Sequence, residues 1–294
     1  MSSHTPPPVT LLQLQRFGGA LRAIVQLADE YRAKAFVDDG HHWYEPHSPA
    51  DLESTQAPLE RHIHDLLGYA NVRMAGALEL SDFVGSMASD AGIGKPTHIY
   101  APLTAARAAI EMCSVVAWLM EPLPDPLTRV ARLLTLERSE QKGLDRLIAG
   151  MSERTLQEID SDADHLGLPK IGRGNRSGYL HELPPIGSLV GDLLGAPWVY
   201  SLLSSVSHGE TPGLIYFGYA ESARRDEFGP VLEKRPPALG LAFAASQVLE
   251  ALGRATSFDA AYRGWDETTF RTDAQSALRA NGLSVEAIKW PNAA

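Results

Sequence analysis

Apolar residues recur at helical spacing along most of the chain, and stretches rich in Pro, Gly or charge separate the repeats. This pattern predicts helices over residues 11–35, 51–91 (one helix or two), 100–120, 128–149, 152–165, 186–194, 197–208, 237–262 and 273–281. No strand alternation is evident. The pattern therefore predicts an all-α, up-and-down bundle of seven or more helices, folded as a single domain over residues 1–294.

The remaining segments are predicted to lack regular structure. Residues 1–9 are rich in Pro and predict a flexible lead-in. Residues 37–50 and 170–185 are predicted as irregular, residues 211–219 as a loop or short extended piece, and residues 221–237 as a charged connection. Residues 265–294 are interpreted as a C-terminal extension.

Two of the predicted helices carry a polar stripe on an otherwise apolar surface. One stripe lies on the helix that Pro197 opens and consists of Tyr200, Ser204, Ser207 and His208. The other lies on helix 100–120 and consists of Tyr100, Thr104, Arg107, Glu111 and Ser114. Polar groups that are buried in apolar helices need hydrogen-bond partners. We therefore expect the two stripes to face each other inside the bundle.

The residue types of the two stripes suggest a candidate site. Arg107 and Glu111 are spaced i, i+4 and can form an ion pair. His208 precedes Gly209 at a predicted helix C-terminus, where the helix dipole favours a cationic imidazole, and histidine is a common general acid or base. We therefore assign catalytic roles to His208, Arg107 and Glu111. Substrate-binding roles are assigned to Tyr200, Ser204, Ser207 and Tyr100. The alternative is a structural polar network that fixes the register of the helices.

Composition narrows the possible partners and compartments. The formal net charge of −10 disfavours RNA and other nucleic acids, although a local basic patch is possible. Cys113 is the only cysteine, which excludes disulfides and cysteine-based zinc sites within one chain, and its apolar helix predicts a buried thiol. No secretory signal is evident and no apolar run approaches about 18 residues. We expect a cytoplasmic protein with no membrane segment.

The spacing of the two stripes also resembles a known family. The segments Arg107-Ala-Ala-Ile-Glu111 and Tyr200-Ser-Leu-Leu-Ser-Ser-Val-Ser-His208 are similar to motifs of DUF5677-type proteins and their relatives in the HEPN superfamily. The resemblance covers about residues 98–262. It implies a helical bundle, often a homodimer, from a superfamily that includes toxin ribonucleases, phage-defence components and non-catalytic modules that bind nucleotides or RNA.

The chain departs from the family at one position that matters for catalysis. The family's ribonuclease signature places an Arg four to six residues before the His, whereas positions 201–204 are here Ser, Leu, Leu and Ser. RNA cleavage is therefore disfavoured, unless Arg107 supplies the missing cation from the facing helix.

Two other segments have residue types that bind ligands. His41, His42 and His47 cluster near Trp43 and Tyr44, which predicts either a metal site together with His62 or His64, or an aromatic lid. His62 and His64 would point apart on a helix. No zinc or di-iron motif occurs, so the metal site is the less favoured alternative, and no metal residue or cofactor is assigned. The Gly-rich loop 172–178 has three nearby cations and could hold a phosphate, or could be a plain surface loop.

Three functional hypotheses follow from these observations. The first is a HEPN-like protein whose Arg107, Glu111 and His208 form a buried pocket that binds or processes a phosphate-bearing ligand or RNA. The second is a metal-independent small-molecule enzyme that uses His208 as its general acid or base and residues 37–50 as a lid. The third is a non-catalytic interaction module in which the stripes are structural.

Overall fold

The fold is built almost entirely from helices. The computed structural model describes residues 9–34, 44–95, 97–122, 124–147, 155–227, 229–234 and 238–290. Their helices are α1 (Leu11–Lys34), α2 (Pro49–Ser54), α3 (Glu60–Gly92), α4 (Tyr100–Met120), α5 (Pro126–Leu147), α6 (Leu156–His165), α7 (Ile186–Leu194), α8 (Pro197–Ser207), α9 (Thr211–Gly218), α10 (Ala238–Arg263) and α11 (Glu267–Ala280). The prediction of an all-α multi-helix bundle is confirmed.

Two small antiparallel β-ladders complete the described structure. Strand β1 (Lys170–Ile171) pairs with β2 (Gly178–Tyr179), and β3 (Tyr219–Asp226) pairs with β4 (Gly229–Lys234). The second ladder has an irregular register between Glu221 and Arg225. Each ladder has only two strands, so the sheets contribute little to the core.

The long helices α3, α4 and α10 form the centre of the bundle, and α1 packs against α3 and α10. Helix α10 is buried on nearly all sides, as expected for a helix with apolar residues around its whole circumference. Helix α4 contacts α3 and α10 and also the shorter helices α7 and α8. The polar stripe of α4 therefore lies where the short helices dock onto the central ones.

Small residues allow α1 and α3 to approach closely. A Cβ atom on Gly18 would lie 2.5 Å from Ser89 Oγ and 2.7 Å from the carbonyl oxygen of Gly85. Side chains at these crossing points would force the two helices apart, because protein interiors are already close-packed. Glycine is therefore required here by close contact between the two helices.

A buried polar cluster joins α2, α5 and α10. The Glu53 carboxylate accepts hydrogen bonds from Tyr262 Oη at 2.7 Å and from Arg129 Nε at 3.3 Å. Arg129 also donates to the carbonyl oxygen of Glu121 at 2.9 Å. The Arg129 side chain is only 1% exposed. A buried ion pair of this kind is tolerated because its polar atoms have partners.

The C-terminal end of α10 carries a second buried ion pair. Arg263 donates from Nε to the Asp259 carboxylate at 2.7 Å, and both side chains are almost completely buried. Its Nη2 donates to Asn71 on α3 at 3.0 Å. These contacts fix the end of α10 against the middle of α3.

Several predicted boundaries are wrong. Residues 211–218 form α9 instead of a loop, and residues 219–234 form a β-hairpin instead of a connection. Residues 60–92 form one uninterrupted helix, and a separate α2 precedes it. Segment 170–185 was predicted as irregular but contains the short β1–β2 ladder. The helix predicted for 273–281 begins six residues earlier, at Glu267, where the Asp266 side chain accepts a hydrogen bond from the Thr269 N–H.

Helix α4 is the one described helix that is long and apolar enough to span a membrane, whereas the sequence predicted none. Within its most apolar window 67% of the residues are buried inside the fold. The core helix of a soluble protein meets the same criteria, so this observation is weak evidence for a membrane segment.

Candidate functional site

Helix α8 presents the second polar stripe, and its ends are defined by local sequence. Pro197 lies at its first position, where a missing N–H costs nothing. The helix ends at Ser207, and Gly209 follows with a φ of +70°, a conformation that glycine adopts easily. Between them the His208 N–H donates to the carbonyl oxygen of Ser204 at 2.9 Å. His208 is therefore held at the C-terminus of α8.

The two stripes meet through the guanidinium of Arg107. Arg107 donates from Nε to the Glu111 carboxylate at 2.8 Å. Its Nη2 donates to Tyr200 Oη at 3.3 Å, and its Nη1 lies 3.3 Å from His208 Nε2. The guanidinium carbon lies 5.4 Å from the centroid of the Tyr200 ring. We call these four residues the Arg107 cluster, and it is at these residues that the two stripes face each other.

The Arg107 cluster lies at the edge of the core and is open to solvent. The Arg107 and Glu111 side chains are 19% and 29% exposed, and His208 is exposed. Burial alone would lower the pKa of Arg107, but Glu111 and Tyr200 outweigh it, and the pKa is raised. The prediction of a buried pocket is wrong for His208, because α8 ends at this point and leaves the imidazole at the surface.

Tyr100 does not join the Arg107 cluster. Its hydroxyl lies 3.4 Å from the carbonyl oxygen of Leu214 on α9, and a side chain at Gly218 would collide with it. Thr104, one turn further along α4, is exposed. The substrate-binding role predicted for Tyr100 has no contact with the Arg107 cluster to support it, because the Tyr100 hydroxyl faces α9.

The serines of the two stripes bond locally. Ser114 Oγ donates to the carbonyl oxygen of Ile110 at 2.7 Å, and Ser207 Oγ donates to that of Leu203 at 3.0 Å. Such bonds to the preceding turn are common for serine within helices. Ser204 contributes through its backbone, which holds His208. The structure thus gives the side chains of Ser114 and Ser207 local structural contacts.

The histidine-rich segment lies partly outside the described residues, which do not include His41 and His42. His47 is exposed, His62 is buried and His64 is exposed, as expected for two residues that point apart on α3. The Tyr44 ring packs against His64, with centroids 6.1 Å apart. The described residues contain no group of three or more His, Cys, Asp or Glu side chains suited to a metal ion.

The described part of the predicted lid, residues 44–50, is anchored away from the Arg107 cluster. Tyr44 Oη lies 3.0 Å from Ser54 Oγ, and the Glu45 N–H donates to the carbonyl oxygen of Arg263 at 2.7 Å. These contacts place the segment beside α2 and the end of α10. They give no support to a lid over the site.

Two of the three cations beside the Gly-rich loop 172–178 are paired with carboxylates, and the third, Arg173, is exposed. Lys170 donates to Asp160 at 3.0 Å, and Arg176 Nη2 lies 3.5 Å from Glu182. The side chains of Lys170 and Arg176 are thus held by neighbouring carboxylates. The plain surface loop is therefore the better interpretation of this segment.

Sequence reasoning missed a second arginine cluster with similar components. Arg73 donates from Nη2 to Tyr69 Oη at 2.9 Å and pairs with Glu140. Its guanidinium carbon lies 5.1 Å from the centroid of the Tyr69 ring. The i, i+4 spacing of Tyr69 and Arg73 was a visible signal. A cavity of about 540 Å³ adjoins this group, and its other charged lining residues include Asp65 and Glu137.

The Arg107 cluster brings a guanidinium, a carboxylate, a phenol and an imidazole from two helices together at the edge of the core. Its hydrogen bonds orient one guanidinium beside an exposed imidazole and a phenol, and arginine is well suited to phosphate and carboxylate ligands. Comparison of the chain with protein-family models, with curated proteins and with solved structures finds no match.

Proposed function

We propose that this chain is a HEPN-like helical protein that binds a small phosphate-bearing molecule at the Arg107 cluster. The observation that carries the proposal is the contact of one guanidinium with a carboxylate, a phenol and an imidazole that come from two different helices. These contacts leave hydrogen-bond donors available to an incoming anion.

Arg107 has donors to spare. An arginine carries five N–H groups, and the described contacts use three of them. Glu111 fixes the orientation of the guanidinium by accepting a hydrogen bond from Nε. The remaining N–H groups supply a charged donor edge for a phosphate oxygen.

Tyr200 and His208 are set to act as donors as well. An arginine can only donate, so the Tyr200 oxygen and His208 Nε2 accept from it. The hydroxyl hydrogen of Tyr200 is then free to point elsewhere. A neutral His208 that accepts at Nε2 carries its hydrogen on Nδ1. A ligand therefore meets N–H and O–H donors, which favours an anion.

The site is too weakly positive for a nucleic acid backbone. Glu111 balances the charge of Arg107, and the exposed Glu210 follows two residues after His208. Binding to a polyanion depends on several cations that neutralise successive phosphates. A single phosphate group on a small molecule fits the charge of the site better than an RNA strand does.

His208 supports acid–base chemistry on the bound ligand as a second candidate function. Its ring is exposed while one nitrogen is held by Arg107 at 3.3 Å. Arg107 thus stands beside the histidine from the facing helix, although the ribonuclease signature places its arginine on the histidine's own helix. Phosphate transfer or hydrolysis would use His208 Nε2 as the proton acceptor once it is released from Arg107, because Nδ1 already carries the ring hydrogen.

Calorimetric titration with glycerol 3-phosphate tests the binding proposal, with glycerol and a short single-stranded RNA as comparison ligands. We expect glycerol 3-phosphate to bind and glycerol not to bind. Arg107→Gln should lower the affinity by about tenfold or more, because a charge-assisted hydrogen bond is lost. Arg73→Gln is the matched control and should leave it unchanged. Equal affinity in the two variants, or a preference for RNA, would overturn the proposal.

A further inference from the structure

A cavity of about 230 Å³ lies between α4, α7 and α10, apart from the contacts of the Arg107 cluster. It begins at Ser114, one turn beyond Glu111 on the same face of α4, and extends past Trp118. Its volume corresponds to about eight water molecules at roughly 30 Å³ each. This is smaller than most sites for drug-sized ligands and suits a metabolite of modest size.

About half of the cavity wall is apolar. Leu189 and Leu193 of α7 line one side, and both are almost completely buried. Trp118 and Phe258, which are partly buried, contribute aromatic surface. A ligand of matching shape that fills this space removes apolar surface from water, and this burial stabilises the complex.

Arg254 is the cation that lines the cavity, and one of its N–H groups lacks a hydrogen-bond partner within the described part of the chain. Arg254 Nε is buried and has no hydrogen-bond partner among the described residues. Burial lowers the pKa of Arg254, and Glu250, one turn earlier on α10, partly opposes that effect. Arg254 as a residue lines the cavity, and a carboxylate is the acceptor that a guanidinium binds best.

Two carboxylates, those of Glu121 and Asp192, line the same cavity. Their negative charge disfavours a ligand that carries only negative charge. Asp192 is exposed, and Glu121 is bound by Arg132 Nη1 at 3.0 Å. The charge of Glu121 is therefore already balanced, whereas Asp192 is available to a cation. A ligand with one carboxylate and one ammonium group would match Arg254 and Asp192 together.

We propose that this cavity binds a free α-amino acid with an apolar side chain. The carboxylate of the ligand accepts from Arg254, its ammonium group donates to Asp192, and its side chain packs among Trp118, Leu189 and Phe258. This site is independent of the phosphate site proposed above, because none of these residues belongs to the Arg107 cluster.

Titration of the full chain with leucine tests this proposal, with two probes that each lack one charge. The probes are 4-methylpentanoate, which has no amine, and isopentylamine, which has no carboxylate. We expect leucine to bind and each probe to bind at least about tenfold more weakly, since each lacks one charge-assisted contact. If leucine does not bind, or if 4-methylpentanoate binds as tightly as leucine, the proposal is wrong.

Variants assign the two contacts to residues. Asp192→Asn should weaken leucine binding and leave 4-methylpentanoate binding unchanged, whereas Asp82→Asn, at an exposed aspartate of α3, is the control and should change neither. Arg254→Leu should abolish the binding of leucine. Should that variant fail to fold, Arg254→Lys and the ligand series on the unaltered chain still decide the question. A leucine affinity that Asp192→Asn does not change would contradict the proposed site.

Discussion

Arg107 Nη1 lies 3.3 Å from His208 Nε2, although 101 residues separate the two along the chain. Arginine cannot accept a hydrogen bond, so a hydrogen bond between these two atoms requires an unprotonated Nε2 on His208. Such a bond leaves Nδ1 as the ring nitrogen that can meet a ligand. It also connects α4 to the end of α8, and the functional proposal depends on both consequences.

Tyr200→Phe should weaken phosphate binding with little effect on folding. The substitution keeps the ring against which Arg107 packs and removes the hydroxyl that accepts from it. A neutral hydrogen bond contributes about 0.5–1.5 kcal/mol, so we expect a loss in glycerol 3-phosphate affinity of about three- to tenfold by calorimetry. Tyr69→Phe removes the corresponding hydroxyl beside Arg73 and serves as the control. An equal loss in both variants would contradict the assignment.

Glu53→Ala should strongly destabilise the fold. The substitution leaves the guanidinium of Arg129 buried without its carboxylate and removes the acceptor of Tyr262. Removing one partner of a buried ion pair costs about 3–5 kcal/mol in the free energy of unfolding, which urea denaturation measures. Glu79→Ala, at an exposed position of α3, should change it by no more than about 0.5 kcal/mol. A small effect of Glu53→Ala would show that the cluster contributes little.

Asp160→Asn should reduce the dependence of stability on acidic pH. Partial burial alone would raise the pKa of Asp160, but hydrogen bonds from Arg138, Tyr179 and Lys170 outweigh it, and the pKa is lowered. A carboxylate with a lowered folded pKa stabilises the fold above its unfolded pKa, and this contribution is lost as the pH falls toward the folded value. The free energy of unfolding should therefore decline less steeply below about pH 4 in the variant.

Tyr179→Phe extends the same test with a partial change. It removes one of the three donors to Asp160, so its pH dependence should lie between those of the original chain and Asp160→Asn. Urea denaturation at a series of pH values gives all three curves. Parallel curves for the three proteins would show that the Asp160 contacts do not favour the charged carboxylate in the folded state.

Cys113 should react with thiol reagents only after the chain unfolds. Its side chain is fully buried on α4, and burial raises the pKa of the thiol to about 12. The thiolate is the reactive form, so both access and ionisation are suppressed in the folded state. Dithiobisnitrobenzoate should therefore label one thiol per chain in urea and none in buffer. Rapid labelling in buffer would contradict the packing of α4.

The sequence predicted most of the helices because their apolar faces are buried. The limits of α4, α7 and α8 agree with the hydrophobic pattern to within a residue or two. For α8 the sequence also marks both ends, with Pro197 at the start and Gly209 just after the last turn. The contact of the two polar stripes was also predictable, because a charged pair in an apolar helix needs partners. The cysteine was correctly predicted to be buried.

The segment after His208 was mispredicted for physical reasons. Pro212 and two glycines suggest a loop, yet Pro212 suits the first turn of α9, and Gly213 permits close contact with Ser205, to whose Oγ it donates at 3.0 Å. A strand with one buried face alternates apolar and polar residues along the sequence. In the β3–β4 hairpin the consecutive residues Arg224 and Arg225 are both exposed, so this pair does not show that alternation. The spacing of residues within α4 does not indicate which neighbouring helix packs against each turn. Tyr100 was therefore predicted to belong to the candidate site, whereas its hydroxyl faces α9.

The protonation of the His208 ring tests the central claim most directly. Long-range ¹H–¹⁵N NMR reports the hydrogen on each ring nitrogen, and comparison with His208→Ala identifies the signals of His208 among the ten histidines. We expect a neutral ring protonated at Nδ1, with Nε2 facing Arg107, and we expect both nitrogens to shift when glycerol 3-phosphate is added. A ring protonated at Nε2 that does not respond to glycerol 3-phosphate would contradict both the contact and the proposed function.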